Sequence, residues 1–385
     1  MSLSKHQLGQ YFTEDISLQR KVFEFVKNKP NIILEPSIGR GDLIHYVKSI
    51  DDSITFHMYE IDESIEMLSG ISKDNIRYGD FLEQVINEKY NTIIGNPPYV
   101  KTKSGNLYID FIERCYDLLE DDGELIFIVP SDFLKLTSAS TLLNTILANG
   151  TITDIYHPND EHLFKNASID VIVFRYQKSK HIKQICIYND EEKFLVNNNG
   201  MITFCNDLTP TVSIDEYFDV YVGMVSGKET VFKSSAYGNI KILNAESKID
   251  SYVFLKEFPS AKDSINQYLL QHKDELMSRR IRKFNDDNWY QWGAPRNISV
   301  MESFVGQDCI YMYNLTRKSN VAFLGKVQYF GGNLIMLKPK STLELGRFVD
   351  YFNGSEFKKN FEFSGRFKIG QRQLANMQIP DTLVK

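Results

Sequence analysis

Short apolar runs, each ending at a turn residue and separated by stretches of helical spacing, constrain this chain more than any other feature. NIILEPSIG (31–39), ITFHMYEID (54–62), YNTIIGNPP (90–98) and GELIFIVPS (123–131) each end in Gly, Pro, Asp or Ser. Between them lie segments such as LYIDFIERCYDLLEDD (107–122), whose apolar residues recur at helical spacing. Runs too short for helices, alternating with helices, predict an α/β fold with a parallel, doubly wound sheet. GTITDIYHP (150–158) and IDVIVFRYQ (169–177) are expected to complete it as an antiparallel edge pair. Any motif at the carboxyl end of an early strand therefore lies where open α/β sheets bind ligands.

The pattern dissolves around 187–212, where the chain turns polar and Asn-rich. We read residues 1–185 as the catalytic domain, 186–212 as a linker and 213–385 as a mixed α+β domain. The second domain holds one clear helical stretch, SINQYLLQHKDELMSRRIRKF (264–284). The halves differ in charge: residues 1–210 carry a net −11 and residues 211–385 a net +5, within a total of −6. An acidic half joined to a basic one suggests that the basic half meets a polyanion.

Other classes are disfavoured. No run reaches the roughly eighteen apolar residues of a membrane span. MSLSKHQLGQYFTED offers no apolar signal core, so a cytoplasmic protein is expected. Cys115, Cys186, Cys205 and Cys309 form no C-x-x-C pair, which predicts reduced thiols and no zinc site.

The chemistry gathers at four strand ends. Glu35-Pro36-Ser37-Ile38-Gly39-Arg40-Gly41 follows the first, and its glycines let backbone approach a ligand at a helix start. Tyr59-Glu60-Ile61-Asp62 ends the second, where an acidic side chain can accept both hydroxyls of a ribose. Tyr78-Gly79-Asp80-Phe81 ends the third, offering an acceptor for an adenine amino group and a ring to cover its face.

Asn96-Pro97-Pro98-Tyr99 ends the fourth and is the most specific of these signals. Two adjacent prolines cannot continue a sheet ladder, so the chain leaves the strand in a stiff extended turn. An exocyclic amine on a heteroaromatic ring is a poor nucleophile, because its lone pair is delocalised. The Asn96 side-chain oxygen and the Pro97 carbonyl can accept its two hydrogens and aim that lone pair at a methyl donor. Tyr99 can stack on the ring.

This order of motifs resembles the gamma-type amino-methyltransferases, familiar as the Taq-type N6-adenine DNA methyltransferases of restriction–modification systems. The resemblance covers residues 9–180 well and the remainder loosely. It implies a Rossmann-like class I methyltransferase fold, S-adenosyl-L-methionine as cofactor and a target-recognition domain behind it. Gly9-Gln10-Tyr11-Phe12-Thr13 matches the family's N-terminal cofactor element. By resemblance, Thr13 and Glu35 contact the methionine end of the cofactor, and Tyr11, Pro36, Gly39 and Gly41 also bind it. Glu60 would hold its ribose and Asp80 with Phe81 its adenine, and Ile61, Asn96 and Pro98 would also bind it. Leu163-Phe164-Lys165-Asn166 matches the segment whose aromatic residue stacks on a flipped-out target base, opposite Tyr99.

In the basic half, Arg279-Arg280-Ile281-Arg282-Lys283 and Trp289-Tyr290-Gln291-Trp292-Gly293-Ala294-Pro295-Arg296 interleave cations with aromatic rings. That pattern predicts DNA contact by Arg279, Arg280, Arg282, Lys283, Trp289, Trp292 and Arg296. Gly223-Met224-Val225-Ser226-Gly227-Lys228 would border the groove, and SGRFKIGQRQLANMQIP (364–380) resembles the closing motif of such domains. The expected partners are double-stranded DNA and a separate cognate restriction endonuclease, with the chain a monomer or weak dimer. The Asn-Pro-Pro-Tyr turn alone also suits cytosine N4, an RNA guanine or a protein glutamine. The early cofactor element and the long second half separate the chain from the glutamine enzymes. The tyrosine of the turn and the gamma order favour adenine while cytosine stays open, and a non-catalytic DNA-binding module would show damage in these motifs.

Overall fold

The computed structural model describes residues 11–102, 105–165, 167–181 and 184–385. The chain divides into two compact units, Met1–Leu208 and Thr209–Lys385. Among the described residues no helix is long and apolar enough to cross a membrane.

The first unit is built on a ten-stranded sheet: β1 (Ile32–Glu35), β2 (Thr55–Glu60), β3 (Ile76–Tyr78), β4 (Tyr90–Gly95), β5 (Leu119–Pro130), β6 (Gly150–Tyr156), β7 (Val171–Lys178), β8 (Ile185–Tyr188), β9 (Glu191–Asn198) and β10 (Met201–Cys205). Its order is β10-β9-β8-β6-β7-β5-β4-β1-β2-β3. Pairing is parallel from β3 through β2, β1 and β4 to β5, and β7 then enters antiparallel. Successive strand residues alternate between two faces. Ile33, Ile94, Ile126 and Ile128 meet Leu18 and Val22 of helix α1 (Ile16–Glu24) and Leu43 and Val47 of α2 (Asp42–Ile50) in one apolar cluster. Leu34, Ile93, Leu125, Phe127 and Val129 belong to a second cluster with Ile109 and Ile112 of α3 (Leu107–Leu118) and Leu143 of α4 (Ser140–Ala148). Helices cover both faces, so the sheet is doubly wound and Rossmann-like, as a run of buried parallel strands requires.

The helix starts follow local chemistry. The Asp15 carboxylate accepts from the backbone N–H groups of Ser17 and Leu18 and caps α1. The chain enters α2 through Gly41 at φ 89°, a left-handed conformation that favours glycine, and a Cβ there would sit 2.0 Å from Ile71 Cδ1.

Two expectations about the sheet need correction. β6 and β7 pair antiparallel but are not its edge, because β6 also pairs in parallel with β8. The stretch read as a linker instead supplies β8, β9 and β10, and only the chain beyond Cys205 leaves the sheet. Its Asn and Gly residues form a tight hairpin between β9 and β10, with Asn199 and Gly200 both at positive φ.

The second unit is mixed α+β. Its four-stranded antiparallel sheet comprises β11 (Phe218–Val222), β12 (Asp308–Tyr313), β13 (Ala322–Lys326) and β14 (Leu334–Pro339), in the order β11-β14-β12-β13. The single helix expected over 264–284 is two shorter ones, α5 (Asp263–Gln271) and α6 (Lys273–Met277). His272 leaves the helical region between them, with φ −108° and ψ 10°.

Candidate active site

The strand order reverses at β1, which sends its successor β2 to one side and lies against β4 on the other. A crevice outside the carboxyl ends of strands is expected at such a switch point. A recess lies there, enclosing about 820 Å³ of empty space including its solvent-filled mouth. Pro36, Ser37 and Gly39 from the β1 loop, Glu60 and Ile61 after β2, Gly79, Asp80 and Phe81 after β3, and Asn96 and Pro98 after β4 line it. Tyr11 and Phe12, Val100, and Leu107 and Phe111 of α3 complete the wall.

Glu60 is buried, and its carboxylate is held by backbone. Oε1 accepts from the N–H groups of Ile61 and Asp62, and Oε2 from that of Gly39. Burial raises its pKa above the usual carboxylate range, against the pull of those three donors. Asp80 Oδ1 caps the turn at Leu82 N. Phe81 stacks on Phe111, their centroids 5.5 Å apart, so one ring joins the core and the recess wall. A carboxylate fixed beside apolar ring faces fits a ligand with hydroxyls next to a flat heterocycle, as an adenosine moiety has.

The Asn96 side chain is committed at both ends. Its Nδ2 donates to the Tyr11 carbonyl at 2.8 Å and to Thr13 Oγ1 at 3.0 Å. Its Oδ1 accepts from the Tyr99 hydroxyl at 2.5 Å, and that hydroxyl also lies 3.1 Å from the Ile128 carbonyl. Burial pushes the Tyr99 phenol well above its ordinary value, helped by Tyr108 and Tyr11, so it remains a donor.

Several expected residues lie elsewhere than the recess wall. Thr13, Glu35, Gly41 and Tyr99 do not line it. Glu35 is buried behind the loop, where Ser37 N reaches its carboxylate at 3.3 Å. Its pKa is raised well above 4.5, chiefly by burial and further by Glu60. Tyr99 and Phe164 were expected to face each other across a base. Here they meet edge to face at 6.2 Å, and the ring stacked on Tyr99 is Tyr11, 5.6 Å away and tilted by 27°. Phe164 is buried, and its rings with Tyr11 and Tyr99 form one aromatic box. Gly9, Gln10 and Asn166 lie outside the described residues.

Leu107 and Phe111 escaped the sequence reading. Their i, i+4 spacing was visible, but it is the same spacing that buries a core face.

The second unit corrects the reading of the basic segment. Arg279 does not face solvent: its guanidinium donates to the carbonyls of Leu276 at 2.7 Å, Ser226 at 2.9 Å and Trp289 at 2.5 Å. It also lies 3.8 Å from the Phe284 ring centroid. Trp289 and Trp292 are core residues at 3% and 2% exposure, and Trp292 Nε1 donates to the Val253 carbonyl. Burial of large rings outweighs any surface role the sequence suggested for them. Arg280, Arg282, Lys283 and Arg296 remain exposed. The loop at Gly223–Lys228 joins the same cluster, with Val225 bridged to Ala294 and Gly293 N donating to the Ser226 carbonyl.

Comparison with known proteins agrees with this geometry. Residues 40–164 match the sequence model of the Eco57I restriction-modification methylases, a span that holds the ends of β2, β3 and β4. Type II methyltransferase M.HincII of Haemophilus influenzae is 30% identical over 211 residues, covering 49% of this chain and 41% of that protein. Modification methylase CviBIII of Paramecium bursaria Chlorella virus NC1A is 30% identical over 152 residues, covering 33% of this chain and 39% of that one. This chain thus spans about two fifths of the length of these curated relatives. Among solved structures, the type IIL restriction-modification enzyme MmeI in complex with DNA has a TM-score of 0.62 at 10% identity. It covers 97% of this chain and 69% of its own, a likeness of fold alone that extends over both units. The Glu60, Asp80 and Phe81 side of the recess suits the adenosine end of S-adenosyl-L-methionine, the cofactor that the sequence resemblance implies.

Proposed function

We propose that this chain transfers a methyl group from S-adenosyl-L-methionine to the exocyclic N6 of an adenine flipped out of double-stranded DNA. The observation that carries the reading is the Asn96 turn at the switch point, with both amide hydrogens of Asn96 engaged and its oxygen turned toward Tyr99. The cofactor supplies a methyl group made electrophilic by its sulfonium. The protein's part is to hold the amine. Asn96 Oδ1 has a second lone pair for one amino hydrogen, and the Pro97 carbonyl accepts the other. Two acceptors favour tetrahedral character at nitrogen, which restores the lone pair for attack. Tyr99 and Phe164 stack on the base after the aromatic box opens. Flipping is needed because an adenine inside a duplex cannot reach a recess of this kind.

DNA engagement is assigned to the exposed cations Arg280, Arg282, Lys283 and Arg296 of the second unit, acting on phosphates. A separate nuclease of the same specificity is the partner this role implies. The deciding experiment incubates the protein with labelled S-adenosyl-L-methionine and unmethylated genomic DNA, then digests to nucleosides. Label in N6-methyladenosine is the expected result. Label in N4-methylcytosine replaces the base, and no label in DNA overturns the assignment and turns the search to RNA and protein amides.

A further inference from the structure

We propose that Thr13 is a positioning residue for Asn96: the Tyr11 carbonyl sets which end of the amide faces inward, and Thr13 fixes the amide plane by accepting its second hydrogen. The inference rests on the reading of Asn96 as an acceptor for the target amine. An asparagine amide has two hydrogens on one side and two lone pairs on the other, and either end can face a given partner. The Tyr11 carbonyl can only accept, so the nitrogen must face it. Thr13 Oγ1 takes the second hydrogen at 3.0 Å. With both hydrogens held on one side, Oδ1 faces the Tyr99 hydroxyl and keeps one lone pair uncommitted.

Thr13 is built to do this. It is 4% exposed and absent from the recess wall, so its hydroxyl points at the amide from behind. Its own carbonyl is gripped by Gln19 Nε2 at 2.6 Å, and Gln19 is a buried residue of α1. The Asp15 cap fixes the start of that helix two residues beyond Thr13. The hydroxyl is therefore held by a capped helix packed on the sheet, whereas Asn96 stands in a turn after a strand. An amide hydrogen left without an acceptor is costly, so loss of the hydroxyl lets the amide twist about its remaining bond to the Tyr11 carbonyl in search of another partner. Rotation turns Oδ1 off its line, which misaims the nucleophile without touching the cofactor. The resemblance placed Thr13 on the cofactor; the hydrogen bond gives it a different, separable task.

Thr13→Val keeps the shape and removes the acceptor, while Thr13→Ser keeps the acceptor. Two quantities separate the roles: the single-turnover rate of methyl transfer to duplex DNA at saturating S-adenosyl-L-methionine, and the dissociation constant of that cofactor measured calorimetrically without DNA. The expected result for Thr13→Val is a rate loss of about tenfold with cofactor affinity within about twofold. Thr13→Ser should restore the rate. If Thr13→Val fails to fold, Thr13→Ala carries the comparison with the same expected split. An unchanged rate in the folded Val or Ala variant overturns the inference, as does a loss confined to cofactor affinity. An unmodified protein that binds the cofactor yet methylates no DNA overturns the functional reading and this inference together. An active protein indifferent to the loss of the hydroxyl overturns the inference alone.

Discussion

Two segments draw the eye in the sequence for the same reason, unusual chemistry packed into a few residues, and they fold in opposite ways. Asn96–Tyr99 follows β4, whose place in the sheet is set by burial of Ile93 and Ile94 on its two faces. Its position is inherited from the strand, so its residues arrive at the recess. Arg279–Arg296 follows a helix that stops at Met277, and no long element dictates where its side chains go. Its tryptophans and its first arginine turn inward, and of its cations Arg280, Arg282, Lys283 and Arg296 remain outside. A motif on a regular element can thus be placed from sequence, while one in irregular chain is placed by whatever it can bury.

The largest test of that contrast is Asn96→Ala. Removing an acceptor aimed at the reacting amine should cut methyl transfer by about 10²–10³-fold or more. Cofactor affinity, measured by calorimetry, should survive, and near-normal turnover would remove Asn96 from the chemistry. Arg279→Ala is next. It takes a donor from three buried carbonyls, of which that of Ser226 keeps its bond from Gly293 N, so the second unit should lose about 2–4 kcal/mol in urea unfolding. An unfolding midpoint equal to that of the unmodified protein would mean that Arg279 is a surface residue after all.

Arg280→Gln with Lys283→Gln sharpens the same contrast from outside. The unfolding midpoint should hold, while the slope of log affinity for DNA against log salt flattens by about 1 for each cation removed. Unaltered slopes would make these cations a solvated face. The smallest effect belongs to Glu35→Gln. The Glu35 pKa is raised well above 4.5 in the folded protein, so the folded state keeps a proton that the unfolded chain releases. Stability therefore falls as pH rises from about 4.5 toward that raised value and levels off above it. Glutamine removes this dependence, so melting temperatures of the variant should gain on the unmodified protein across that window. Parallel curves for the two proteins would falsify the protonated state.

What the sequence determined by itself was the α/β order, the strand ends and the residues that gather there. Apolar periodicity sets which residues are buried, and the ends of buried parallel strands meet on one edge. Glu60, Asp80, Phe81 and Asn96 could therefore be assigned to one recess before any geometry was known. The polar stretch at 187–205 reads as loop because nearly all side chains of β9 are at least partly open to water, and composition does not separate such a strand from a loop.

Tertiary structure alone decided which polar groups face each other. The hold of Thr13 on Asn96, the stacking of Tyr11 on Tyr99 and the burial of Arg279 join residues far apart in sequence. Thr13 and Asn96 are 83 positions apart, and Arg279 reaches Ser226 across 53. Periodicity reports which side of an element is buried, whereas a hydrogen bond depends on distances of about 3 Å between atoms that only packing brings together.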